Sequence, residues 1–122
     1  MIDSGHVARK AAKEGIALPE NKADYIVEEK VETISPQKLM QDHNIQKISL
    51  LVVDTEGYDY EILKKFDIPS PQPRAVIYEA QHLSKEVHME ALTLLSEAGY
   101  FCKSIDGNTL AIRRDDKDAD LF

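Results

Sequence analysis

One cysteine, Cys102, stands among 122 residues. An internal disulfide is thereby excluded, and no grouping of Cys and His has zinc spacing, so a reducing cytoplasm is the expected compartment. Beside Phe101, that cysteine reads as a small buried hydrophobe. Positive charge is scarce as well: 15 Lys and Arg face 22 Asp and Glu, a formal balance of -7. Nonspecific binding to a nucleic-acid backbone needs clustered basic residues, which this balance argues against. No apolar run approaches the roughly 18 residues required to span a bilayer. The opening Met1-Ile2-Asp3-Ser4-Gly5-His6 has neither the charged head nor the apolar core of a secretory signal. Neither nucleic acid nor a membrane is an expected partner.

What is present is the apolar content, 43%, of an ordinary folded chain, enough for one α/β domain over residues 1–122. Val7, Ala8, Ala11 and Ala12 recur at helical spacing between His6 and Glu14, with Gly15 as a stop. Tyr25 to Ile34 has strand character and enough charge for an edge position. Ser35-Pro36 is a helix start, serine capping and proline in the first turn, and the helix should run to about His43 with Leu39 and Met40 inward. The unbroken run Ile48 to Val53 fits a strand covered on both faces.

Ile62, Leu63 and Phe66 are spaced for a short helix, for which Asp59 is the expected cap, and the proline cluster from Pro69 to Pro73 ends it. A strand from Arg74 to Tyr78 follows, then a helix from Lys85 to Ala98 capped by Ser84, with Val87, Ala91, Leu94 and Leu95 as its buried stripe. Tyr100 to Ile105 and Thr109 to Arg113, joined through Asp106-Gly107-Asn108, read as a hairpin. The tail from Asp115 to Phe122 is polar and expected to be loose. Helix and strand alternation predicts right-handed crossovers onto a mostly parallel sheet with a C-terminal antiparallel hairpin.

Chemistry is expected where strands end in acids. The Ile48 to Val53 run passes directly into Asp54-Thr55-Glu56-Gly57, and the Arg74 to Tyr78 run into Glu79-Ala80-Gln81-His82. If these strands are parallel, Asp54, Glu56, Glu79 and His82 share one rim, which is where open α/β sheets bind ligands. Each has a plainer role open to it. Asp54 can cap the following helix, Glu56 can favour its N-terminal dipole, and Glu79 and His82 can be solvated loop residues. The four together would also suit a hard divalent ion, although nothing in their spacing demands one. Tyr58 and Tyr60 flank the turn and are read as packing residues; His6, His43 and His88 are read as surface positions.

The run Leu50-Leu51-Val52-Val53-Asp54-Thr55-Glu56-Gly57-Tyr58-Asp59-Tyr60-Glu61-Ile62-Leu63 resembles the DxEGxxxxxL signature of the FkbM-type methyltransferases. Val31 to Ser35, Pro73 to Glu79 and Leu94 to Tyr100 are similar to neighbouring segments of that family, so the likeness covers roughly Val31 to Arg113. It implies a partial Rossmann-like methyltransferase fold, S-adenosylmethionine as methyl donor, and a sugar or small-molecule hydroxyl as acceptor. Asp54 is the first expected base and Glu56 the second, with Glu79 and His82 beside them.

The family's glycine-rich cofactor turn has no counterpart here: the residues ahead of Val31 hold only Gly5 and Gly15. The chain is therefore expected to correspond to the C-terminal half of such an enzyme. The alternative is a noncatalytic module, and in either case a partner is expected, a second copy or an N-terminal half.

Overall fold

The computed structural model describes residues 4–18, 20–21, 29–66 and 72–121. Contacts group the chain into two compact units, residues 1–33 and 34–122. In the first, helix α1 spans Ser4–Glu14. It closes through Gly15 N–H donating to Ala12 O at 3.3 Å and Ile16 N–H donating to Ala11 O at 2.8 Å, which satisfies carbonyls left free by the last turn. Residues 22–28 lie outside the described residues, and with them the first four positions of the expected Tyr25 to Ile34 strand. Residues 29–34 are described and form no strand.

The second unit runs α2 (Pro36–Asp42), β1 (Leu50–Val53), α3 (Asp59–Lys65), β2 (Ala75–Glu79), α4 (Lys85–Glu97), β3 (Tyr100–Ile105) and β4 (Asn108–Arg113). A short 3-10 turn, Ala119–Leu121, follows. Ser35 caps α2 as its chemistry requires, its Oγ accepting from Lys38 N–H at 3.1 Å. At the other end Asn44 turns the chain with φ +51. Contrary to the expected inward pair, Leu39 is exposed and α2 buries no residue.

The four strands stand in the order β1-β2-β4-β3. β1 and β2 are parallel, with Leu50 level with Ala75 and Val53 level with Tyr78. β2 to β4 and β4 to β3 are antiparallel. The expectation of a mostly parallel sheet is therefore corrected. The hairpin does not sit beyond the sheet as an appendage: its second strand docks against β2, so antiparallel pairs outnumber the single parallel one. Among the described residues no strand flanks β1 on its other side. The hairpin turn matches its sequence, Asp106 and Gly107 having φ +47 and +82, the left-handed pair that fits the twist of a two-residue connection.

The core lies on one face of this sheet. Leu51 and Val53 of β1, Val76 and Tyr78 of β2, Tyr100 of β3 and Ala111 of β4 meet Leu63 of α3 and Ala91 and Leu95 of α4. The expected stripe of α4 is found, with Ala91 and Leu95 buried and Val87 and Leu94 half-buried. The opposite face is different: Leu50 and Val52 are 51% and 59% exposed, so β1 is not covered on both sides as its continuous apolar run suggests. The tail carries specific contacts: Arg74 Nε donates to Asp116 Oδ2 at 2.6 Å, Arg74 also pairs with Asp118, and Ala119 is buried.

Candidate functional site

The parallel register decides the geometry. With Val53 level with Tyr78, the next residues, Asp54 and Glu79, leave the sheet at the same carboxyl end. From Asp54 the chain turns through Glu56, at φ +53, and Gly57, at φ +99, before α3 begins. Two consecutive left-handed residues make this a tight reversal, and the second is the one residue type that adopts it without strain. A side chain at Gly57 would meet His82 O 3.3 Å from its Cβ, so this turn and the turn after β2 pack backbone against backbone.

Asp59 holds the two turns together. It is fully buried. Its Oδ2 accepts from Thr55 Oγ1 at 2.9 Å, Gly57 N–H at 3.3 Å and Thr55 N–H at 3.4 Å, while Oδ1 accepts from Glu79 N–H at 3.2 Å. A carboxylate surrounded by donors in this way is compensated for its burial. The expected cap role is corrected: the residue preceding α3 is Tyr58, which makes no side-chain cap bond, and Asp59 instead clips the end of β1 to the end of β2. The signal available in the sequence was an acid two residues after a turn glycine, which is also what an ordinary cap looks like.

Of the four expected site residues, three converge. His82 Nε2 lies 3.3 Å from Glu56 Oε2 and 3.7 Å from Glu79 Oε2. The ligand atoms of all three lie within 4.8 Å of one another. Glu79 is the most enclosed, its side chain 14% exposed against 37% for His82 and 45% for Glu56. Its Oε1 accepts from Gln81 Nε2, whereas its Oε2 is buried and has no hydrogen-bond partner among the described residues. Asp54 shares the rim but not the cluster; it is exposed and stands outside the group of three.

The surrounding titratable groups are structural. Burial pushes the Tyr78 hydroxyl up to about 12, so it stays protonated, 3.2 Å from His88 Nδ1. His88 is thus half-buried and partnered rather than a surface residue. Burial also raises the Cys102 thiol, against the pull of Arg114, which disfavours the reactive thiolate. Of the two turn tyrosines, Tyr60 packs against the core and Tyr58 is half exposed.

Fold and rim together define an α/β domain with an acid- and imidazole-bearing edge at the carboxyl end of a parallel strand pair. The sequence model of the methyltransferase FkbM domain matches residues 4–102, which is most of the chain. The protein belongs to that family. No curated protein and no solved structure gives a match.

Membership brings with it the question of S-adenosylmethionine, the donor that methyltransferases generally use. The described residues do not provide its cradle. Among the described residues Gly57 is the one glycine in a strand-to-helix turn, and a Cβ there would lie 3.3 Å from His82 O. Gly15 and Gly99 follow helices, and Gly107 turns the hairpin.

Proposed function

We propose that this chain is the acceptor-side part of an FkbM-type methyltransferase, acting on a hydroxyl of a sugar or small metabolite and lacking the glycine-rich cofactor turn. The observation that carries this reading is the parallel β1–β2 register, which brings the end of the Asp-x-Glu-Gly strand and the Glu79 strand end to one rim. Such a rim acts on a hydroxyl by orientation first: a carboxylate accepting its hydrogen bond fixes the oxygen's lone pair toward an incoming electrophile and draws off the proton as that oxygen is alkylated. Asp54 is the best placed for this, since it is exposed and outside the cluster that engages Glu56. A reducing cytoplasmic setting suits the single thiol.

The test is methyl transfer from labelled S-adenosylmethionine to a panel of sugars and small alcohols, by the full chain alone and with a separately supplied glycine-rich half. Product formation that falls by about a hundredfold in Asp54→Asn supports the reading. No transfer under either condition, with a folded protein, refutes it.

A second reading rests on a different observation. Leu50, Val52, Phe101 and Ile105 are each about half exposed, and register places all four on the same sheet face. Exposed apolar surface of this kind, beside a strand with no outer neighbour among the described residues, suits an interaction module that self-associates or pairs with another subunit. Sedimentation over a concentration series decides it: a monomer at every concentration removes the self-associating form.

A further inference from the structure

We propose that Glu56, Glu79 and His82 form a binding site for a first-row divalent cation of the Mn²⁺ or Zn²⁺ type. This stands apart from the methyl-transfer reading and does not use Asp54.

The geometry is close to that of a ligated ion. Ligand atoms about 2.1 Å from a shared ion, at angles between octahedral and tetrahedral, lie roughly 3.0–3.4 Å from one another. His82 Nε2 is 3.3 Å from Glu56 Oε2 and 3.7 Å from Glu79 Oε2. The second distance is too long for a hydrogen bond; a few tenths of an ångström of closure would bring both into the ligated range, and all three ligand atoms lie within 4.8 Å of one another, near enough for one ion to draw them together.

A second observation points to a missing partner. Glu79 Oε2 is a buried carboxylate oxygen with no hydrogen bond among the described residues, a condition that costs free energy unless something completes it. The same side chain has its other oxygen engaged by Gln81 Nε2. An outer hydrogen bond of that kind is what fixes the free oxygen of a metal-bound carboxylate. Two carboxylates held in one small cluster also repel, which a cation between them relieves.

The backbone is already organised for this. Glu79 ends β2, and its N–H is held by Asp59 Oδ1 at 3.2 Å. The Gly57 to His82 approach sets the Glu56 turn against the His82 turn. The latter is fixed from its other side, where Ala80 and Gln81 N–H both donate to Gly107 O, at 2.8 and 3.0 Å. One imidazole and two carboxylates are a mixed donor set that suits Mn²⁺ or Zn²⁺ and leaves coordination positions for water or a substrate oxygen.

The experiment is titration of the full chain with Mn²⁺, followed by the ion's electron paramagnetic resonance signal, with Zn²⁺ as competitor. One site per chain is expected, weakened by at least about tenfold in Glu79→Gln and in His82→Ala, and unchanged in Asp42→Asn, which alters a distant surface acid. Far-ultraviolet circular dichroism of each variant separates loss of the ion from loss of fold; should His82→Ala fail to fold, the isosteric Glu79→Gln alone decides. Weak, nonstoichiometric binding, or binding that both variants retain, overturns the proposal. Because the readout is the ion itself, failure of methyl transfer leaves this result standing, and the reverse holds too.

Discussion

The two faces of the sheet are built from the same four strands yet behave as different materials. On one, Leu51, Val53, Val76, Tyr78 and Ala111 are buried beneath α3 and α4, whose Leu63, Ala91 and Leu95 are fully buried in the same core. On the other, Leu50, Val52 and Phe101 are 51%, 59% and 47% exposed, and among its described strand residues only Ile112 is buried. The side chains differ little in type, so hydrophobicity does not explain the contrast; what differs is whether a helix is connected so as to lie across them. Stability should therefore reside on the helix-covered face, and interaction with other molecules on the open one.

That division can be broken directly. The largest effect expected is from Leu95→Ala on the covered face, which should cost about 2–5 kcal/mol in denaturant unfolding, while Leu50→Ala on the open face should fall within about 0.5 kcal/mol. Equal losses would erase the distinction. Next comes Asp59→Ala, which strands Glu79 N–H, Gly57 N–H and the Thr55 donors; about 1–3 kcal/mol should be lost, with the amides of Gly57 and Glu79 exchanging faster than those of α4.

A Leu50→Lys, Val52→Lys pair should leave unfolding nearly unchanged while abolishing any self-association seen by sedimentation. If association persists at the same strength, the open face is not its origin.

The smallest effect belongs to the tail. Arg74 beside Asp116 holds that carboxyl below its ordinary value of 3.8, hydrogen bonding being the main cause. A group whose value is depressed on folding contributes above its unfolded value and loses that contribution as pH falls through the folded one. Amide shifts around Ala119 should accordingly hold steady down to about pH 4 and change only below it, with the covered face unaffected over the same window. Change in that region already above pH 5 would show that the clasp is not an Arg74–Asp116 ion pair.

Local chemistry was the legible part. Ser35-Pro36, Ser84 and Asp106-Gly107 each carry their own cap or turn geometry, and each is found where it was expected. The shared rim of Asp54 and Glu79 was legible too, because both follow apolar strand runs directly. Sheet order was not. Nothing in Thr109 to Arg113 says that it will lie between β2 and β3, and that one placement makes the sheet more antiparallel than parallel. The open face of Ile48 to Val53 is hidden for a similar reason: a largely apolar run reports what a strand can bury, while burial depends on neighbours chosen elsewhere.

Within the site, spacing does not show that Glu56, Glu79 and His82 group without Asp54; it carries no sign that Glu56, left-handed in its turn, reaches His82. Asp59 reads as a cap in the sequence because a buried clip between two strand ends leaves no mark in a linear chain.

The hold that Gly107 O has on Ala80 and Gln81 carries a consequence for the order of assembly on the ribosome. The acids and the imidazole are all translated by residue 82, but the peptide group that pins their second turn emerges some two dozen residues later, along with the strand that flanks β2. A nascent chain arrested before residue 107 should thus present every reactive group of the rim while its second turn is still unpinned.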